Sequence, residues 1–147
     1  MSLESRKEVV THSPEETIRL GYELAQTLRQ PSLVLLEGEL GSGKTTLVKG
    51  LVAGLGAARE EDVTSPSFTL VHEYGRDRRV YHADLYRVEG SREFGTLGLD
   101  DLLEQPATVI VEWGEKFLGQ DVAAQVRIHM ELLEGDERRI TIENLDP

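Results

Sequence analysis

The sequence predicts a three-layer α/β fold of the P-loop NTPase kind, with a mixed sheet that is parallel at the phosphate loop and antiparallel at its edges. Three observations predict it. Gly38 to Thr45 reads GELGSGKT, a complete G-x-x-x-x-G-K-[ST] loop. An apolar run, Leu33-Val34-Leu35-Leu36-Glu37, precedes it, and Leu47, Val48, Leu51, Val52 and Leu55 follow at helical spacing. The loop therefore joins a buried strand to a helix, the context in which this motif carries meaning. Two alternating stretches on either side of turn residues, near Gly75 and near Gly135, read as hairpins and supply the antiparallel strands.

Taken in order, Glu8 to Thr11 is a short first strand. Ser13-Pro14-Glu15-Glu16 starts a helix, with Ser13 as N-cap, Pro14 at the first helical position and Glu16 closing a capping box. Ile18, Leu24, Ala25 and Leu28 give that helix its apolar stripe, and Gln30-Pro31 ends it. Strand, loop and helix follow, with Gly54 and Gly56 loosening the end of the second helix. Phe68 to Tyr74 and Val80 to Leu85 flank a turn at Gly75 to Arg79. Ser91 to Glu104 is helical in parts, interrupted by Gly95 and Gly98. Thr108 to Val111 is a second short buried strand, and Gln125 to Leu132 with Arg138 to Glu143 forms the last hairpin.

A chain of 147 residues is one domain, 1–147, large enough for a real core. No run of 18 apolar residues and no charged-then-apolar leader occurs, so a soluble, non-exported protein without a membrane partner is expected. The absence of cysteine excludes disulfides and thiolate metal sites. The balance of 27 acidic against 16 basic residues, a net charge of −11, argues against direct grip on nucleic acid, which needs cations to displace counterions. Only Lys7, Lys44, Lys49 and Lys116 are lysines. Any RNA in this protein's work would be held by a partner.

The loop's spelling follows from its chemistry. Gly38, Gly41 and Gly43 let the backbone approach a ligand with no Cβ in the way. Its N–H groups, at the start of the next helix, favour a polyphosphate. Lys44 reaches the β and γ phosphates, and the Thr45 hydroxyl holds a Mg²⁺ bound to the same oxygens. Guanine readout by N-K-x-D is missing, since the one asparagine, Asn144, precedes Leu145, which favours ATP. Cytoplasmic location follows from the need for a nucleotide pool.

Hydrolysis also needs an acid to hold Mg²⁺ or position water. Such acids lie where parallel strands end. Glu112 ends the Val109-Ile110-Val111 run, and Asp84 sits in Tyr81-His82-Ala83-Asp84-Leu85-Tyr86-Arg87; their relative weight stays open. Ser65-Pro66-Ser67-Phe68-Thr69 offers hydroxyls, from Ser67 and Thr69, toward a γ-phosphate, or is ordinary turn chemistry. His72 and His82 read as structural or surface histidines rather than metal ligands, Arg87 as the partner of a nearby acid or else a source of positive charge for the transition state, and Trp113 as core close to the crevice. No acceptor pocket or arginine-bearing lid is evident, which leans away from a small-metabolite kinase and toward an ATP-driven switch acting on a partner. A nucleotide-dependent binding module remains the third reading.

The loop with Thr46, then Ser65-Pro66-Ser67-Phe68-Thr69-Leu70-Val71, then Tyr81-His82-Ala83-Asp84-Leu85-Tyr86-Arg87, then Glu112-Trp113 occur in the order and spacing of the TsaE family, which the chain resembles over roughly residues 10 to 143. These are bacterial ATPases of tRNA threonylcarbamoyladenosine biosynthesis. The resemblance implies a compact P-loop fold and slow ATP hydrolysis by the protein alone. It further implies action on the TsaB and TsaD subunits, whose transferase the ATP cycle resets, with tRNA met only through them. By the same resemblance Gly41, Ser42, Gly43, Lys44, Thr45 and Thr46 bind ATP, and Thr45 and Glu112 hold Mg²⁺. Asp84 is needed for activity, the S-P-[ST] segment acts as a switch, and Thr17 and Gly135 lie by the adenine. Ser67 stands where threonine is usual and Glu39 where aspartate is common, changes that keep the hydroxyl and the charge.

Overall fold

The computed structural model describes residues 3–28, 32–39, 41–64, 71–75, 79–85, 106–112 and 126–146. Seven strands and two α-helices occur among them: β1 (Leu3–Thr11), α1 (Pro14–Ala25), β2 (Ser32–Gly38), α2 (Lys44–Gly54), β3 (Val71–Tyr74), β4 (Val80–Asp84), β5 (Thr108–Glu112), β6 (Val126–Leu132) and β7 (Arg138–Asp146), with a single 3₁₀ turn at Glu60–Asp62. The strands form one sheet in the order β1-β7-β6-β2-β5-β4-β3. Pairing is parallel across β6-β2-β5-β4 and antiparallel at β1-β7, β7-β6 and β3-β4. The mixed sheet expected from the sequence is thus present, with its parallel part centred on the strand that leads into the phosphate loop.

The centre of the sheet is buried on both faces, which is why β2 and β5 read as unbroken apolar runs rather than alternating ones. Val34, Leu36, Ile110, Ile128, Met130 and Ile140 meet Leu47, Val48, Leu51 and Val52 of α2 and Leu20 and Leu24 of α1 in one core. Each such side chain stabilises by ~1.5–3 kcal/mol when fully buried. On the opposite face Leu33, Leu35, Tyr81, Ala83, Val109 and Val111 are buried as well.

Both helices start as their sequences dictate, by different means. For α1, the Ser13 hydroxyl accepts from the Glu16 N–H at 3.2 Å, and the Glu16 carboxylate accepts from the His12 N–H at 2.9 Å. That reciprocal pair occupies two donors left over at a helix start. No side chain caps α2, whose N-cap is Gly43 at φ +96°, and no acidic residue lies in its first turn.

The helices touch backbone to backbone. A Cβ placed on Gly50 would lie 2.0 Å from the Ile18 carbonyl oxygen, one on Gly21 would lie 2.5 Å from that of Leu47, and one on Gly54 would lie 2.7 Å from Ala25 Cβ. Gly54, expected at the helix end, is the last residue of α2 and is also part of this contact. Gln26 Nε2 reinforces it by donating to the Gly54 carbonyl at 2.9 Å.

Other boundaries moved for identifiable reasons. β1 runs from Leu3 rather than Glu8, because it pairs with β7 along its whole length, from Leu3 opposite Asp146 to Thr11 opposite Arg138. Its Ser5-Arg6-Lys7-Glu8 stretch carries no apolar signal. β7 likewise extends past Glu143. α1 ends at Ala25, ahead of the expected Gln30-Pro31, with Gln26 as C-cap. The β6–β7 turn centres on Gly135 as expected, at φ +60°, closed by the Leu133 N–H on the Glu137 carbonyl at 3.0 Å. The expected helix at Ser91–Glu104, the Arg76-Asp77-Arg78 part of the first hairpin turn and the Phe68-Thr69-Leu70 start of its first strand lie outside the described residues.

Candidate functional site

β2 delivers the chain into the loop at Gly38, which is opposite Met130 of β6. A Cβ there would lie 2.6 Å from the Met130 carbonyl oxygen and 2.8 Å from Ser42 Oγ, so only glycine passes. Gly41 at φ +81° and Gly43 at φ +96° then take left-handed conformations that side chains resist. The Ser42 N–H closes the turn on the Glu39 carbonyl at 3.0 Å. Lys44, Thr45 and Thr46 are the first three residues of α2.

Lys44 is buried although charged. Its Nζ donates to the Gly38 carbonyl at 2.6 Å and to the Glu39 carbonyl at 3.0 Å, which offsets the cost of taking an ammonium from water. Ser42 Oγ is buried and has no hydrogen-bond partner among the described residues. A buried cation, an orphaned hydroxyl and an uncapped helix start together fit a phosphate chain laid over the loop. Thr45 and Thr46 are half-buried at the same helix start.

The two candidate acids stand side by side. In the parallel ladders Leu36 of β2 is opposite Glu112 of β5, and Glu112 is opposite Asp84 of β4. Opposed residues share a sheet face, so both carboxylates lie on the helix side with Leu36, two residues before the loop begins. Glu112 is buried and accepts a hydrogen bond from Nε2 of His82, itself fully buried; among the described residues His82 Nδ1 has no partner. His82 is therefore structural, as expected, but it fixes one oxygen of a site carboxylate, a link that no spacing in the sequence reveals. Among the described residues no three His, Cys, Asp or Glu side chains are grouped to hold a metal. A magnesium ion on a phosphate chain needs only one or two protein ligands, and Thr45 with Glu112 fits that smaller demand.

Thr17 and Gly135, distant in sequence, converge beside the loop. The buried Thr17 hydroxyl shares a hydrogen bond with that of Thr11 at 2.8 Å, and Thr11 is in register with Arg138. Arg138 Nη1 donates to the Gly135 carbonyl at 2.7 Å and Nε to the Ser42 carbonyl at 3.0 Å. Sequence reasoning missed Arg138, since the first residue of a hairpin strand carries no periodic or motif signal.

Ser67, Thr69, Trp113 and Arg87 lie outside the described residues. The residue before the serine-proline segment, Thr64, donates its N–H to the Tyr74 hydroxyl at 3.4 Å, and His72 Nδ1 is 3.2 Å from the same oxygen. Burial pushes that phenol up from its ordinary pKa, partly countered by the Thr64 bond. No helix among the described residues is long and apolar enough to cross a membrane.

A parallel strand, a glycine-built loop, an uncapped helix with a buried lysine, and two carboxylates at the ends of the neighbouring strands define an α/β protein of the strand–phosphate loop–helix class. Within that class, residues 11–141 match the family model described as "Threonylcarbamoyl adenosine biosynthesis protein TsaE". The chain belongs to the TsaE family. It is 35% identical to the tRNA threonylcarbamoyladenosine biosynthesis protein TsaE of Treponema pallidum over 133 residues, covering 90% of this chain and 97% of that one. With the protein of the same name from Aquifex aeolicus it shares 36% over 141 residues, 95% and 98% of the two chains. The crystal structure of Bacillus subtilis YdiB superposes with a TM-score of 0.73 at 31% identity, covering 99% of this chain and 88% of that one.

Proposed function

We propose that this chain is the ATP-binding and ATP-hydrolysing component of the machinery that installs threonylcarbamoyladenosine at adenosine-37 of tRNA, acting on the TsaB and TsaD subunits to reset them between turnovers. The observation that carries the reading is the buried Lys44 ammonium held inside the loop, beside the Glu112 and Asp84 strand ends. Family membership supports the tRNA-modification context.

In this reading the N–H groups at the α2 start and Lys44 bind the phosphates, while Thr17 and the Gly135 turn flank the adenine. Thr45 and Glu112 would hold Mg²⁺, which neutralises charge on the phosphate oxygens. His82 keeps Glu112 from turning away, and Asp84, on the adjacent strand, orients the attacking water. The net charge of −11 suits a protein that leaves RNA to its partners. A cytoplasmic location follows from the supply of ATP and tRNA.

Phosphate release from ATP, measured with the chain alone and with TsaB and TsaD added, tests this. Slow release alone and stimulation by the subunits are expected. Tight ATP binding without stimulation would remove the partner role, and phosphate passed to a metabolite rather than to water would make the chain a kinase. For Glu112→Gln, which keeps an acceptor for His82, ATP affinity should stay within about threefold while hydrolysis falls roughly 100-fold or more. Normal turnover by that variant would take Glu112 out of the chemistry.

A further inference from the structure

Arg138 is the first residue of β7, and all three nitrogens of its guanidinium donate to backbone carbonyls. Nε reaches Ser42 at 3.0 Å and Nη2 reaches Gly41 at 3.4 Å, while Nη1 reaches Gly135 at 2.7 Å and Glu137 at 2.8 Å. Two of these acceptors belong to the phosphate loop and two to the β6–β7 turn, and Arg138 itself is 97 positions from Gly41. Among the described residues Arg138 pairs with no carboxylate, whereas its neighbour Arg139 lies 2.9 Å from Glu8 and 3.5 Å from Glu131. The charge of Arg138 is therefore left for the loop to feel. The guanidinium also covers Gly43, where an added Cβ would lie 3.9 Å from Nε.

A trans peptide is planar, and its carbonyl and the following N–H point in opposite directions. Holding the Ser42 carbonyl outward on Arg138 turns the Gly43 N–H inward, toward the side where a phosphate lies. Gly43 is the residue least able to keep that orientation unaided, since glycine moves between φ basins freely.

We propose that Arg138 is a positioning residue for the phosphate loop: it clamps the outer carbonyls of Gly41 and Ser42 so that the inner N–H groups are set before nucleotide arrives, and it locks the Gly135 turn to the loop. The assignment rests on the nucleotide reading above. Arg138 works from behind the loop, so its loss weakens ATP and ADP alike, because both present α and β phosphates. Lysine in its place keeps the charge without the planar fork and restores part of the effect.

Calorimetric titration of ATP and ADP into the wild-type chain, Arg138→Ala, Arg138→Lys and, as reference, Lys44→Ala tests the proposal, with a thermal melt of each. Arg138→Ala should raise both dissociation constants about tenfold with Tm within about 3 °C of wild type, and Arg138→Lys should fall between the two. Wild-type affinity in Arg138→Ala, beside lost affinity in Lys44→Ala, would overturn the assignment and leave the nucleotide site standing. A loss that tracks a Tm fall of more than about 5 °C and that lysine does not restore would overturn it in favour of a fold-only role. If the wild-type and Lys44→Ala chains bind nucleotide equally, the nucleotide reading fails and the assignment falls with it.

Discussion

Lys44→Ala should abolish measurable ATP binding, with affinity reduced roughly 100-fold or more. The ammonium sits within the loop already, on the Gly38 and Glu39 carbonyls, and needs only a short swing of a flexible stem to meet a β or γ phosphate. Each charge-assisted hydrogen bond is worth about 1.5–3 kcal/mol, so two such bonds account for the expected loss. The variant should remain folded. Lys44 is at the first position of α2, where alanine is a good helix former, and removing a buried charge removes its desolvation cost as well. Calorimetry of ATP with a parallel thermal melt separates the two effects. A dissociation constant within about threefold of wild type would contradict the nucleotide reading of the loop.

Gly50→Ala carries the largest expected effect on stability. The new methyl would stand 2.0 Å from the Ile18 carbonyl oxygen and 3.0 Å from the Tyr22 nitrogen, both backbone atoms of α1 that no rotamer change can move. The helices must separate or tilt, opening the contact among Leu20, Leu24, Leu47 and Leu51. Alanine's better helix propensity returns only about 1 kcal/mol. Overpacking together with the lost contacts costs more, for a net loss near 3 kcal/mol, or about 10 °C in Tm at this chain length. Gly56→Ala is the contrast, since Gly56 is at φ +74° with open space around it and loses only local backbone preference. Equal melting temperatures for the Gly50 variant and wild type would show that the two helices are not held at the observed separation.

The unit formed by β2, the loop and α2 was legible because three signals coincide there: an apolar run, a fixed glycine spacing and helical periodicity. The Glu112 and Asp84 positions were legible for a related reason, as acids at the ends of runs that must be parallel strands if the loop is to work. Gly21, Gly50 and Gly54 were not, because a glycine inside a helical pattern looks like a weakness until the neighbouring helix is known. Arg138 and the bond from His82 to Glu112 were hidden more deeply. Both depend on strand register, 96 positions from loop to arginine in one case and 30 in the other, and register is set by the whole sheet rather than by any local word. The first five residues of β1 were missed since Glu4-Ser5-Arg6-Lys7 has no apolar pattern to show.

The pairing of β1 with β7 has a consequence for how the protein comes into being. Of the described strands, β1 is the first in chain order and its one partner, β7, is the last. Synthesis at about 5–20 residues per second keeps Leu3–Thr11 waiting for seconds while β2 and β5 can already associate. The waiting segment carries three consecutive charged residues, Arg6-Lys7-Glu8, which makes it a poor template for a stranger's strand. Closure of the sheet is thus a late, chain-spanning event, and it is the arrival of β7 that brings Arg138 against a loop translated long before.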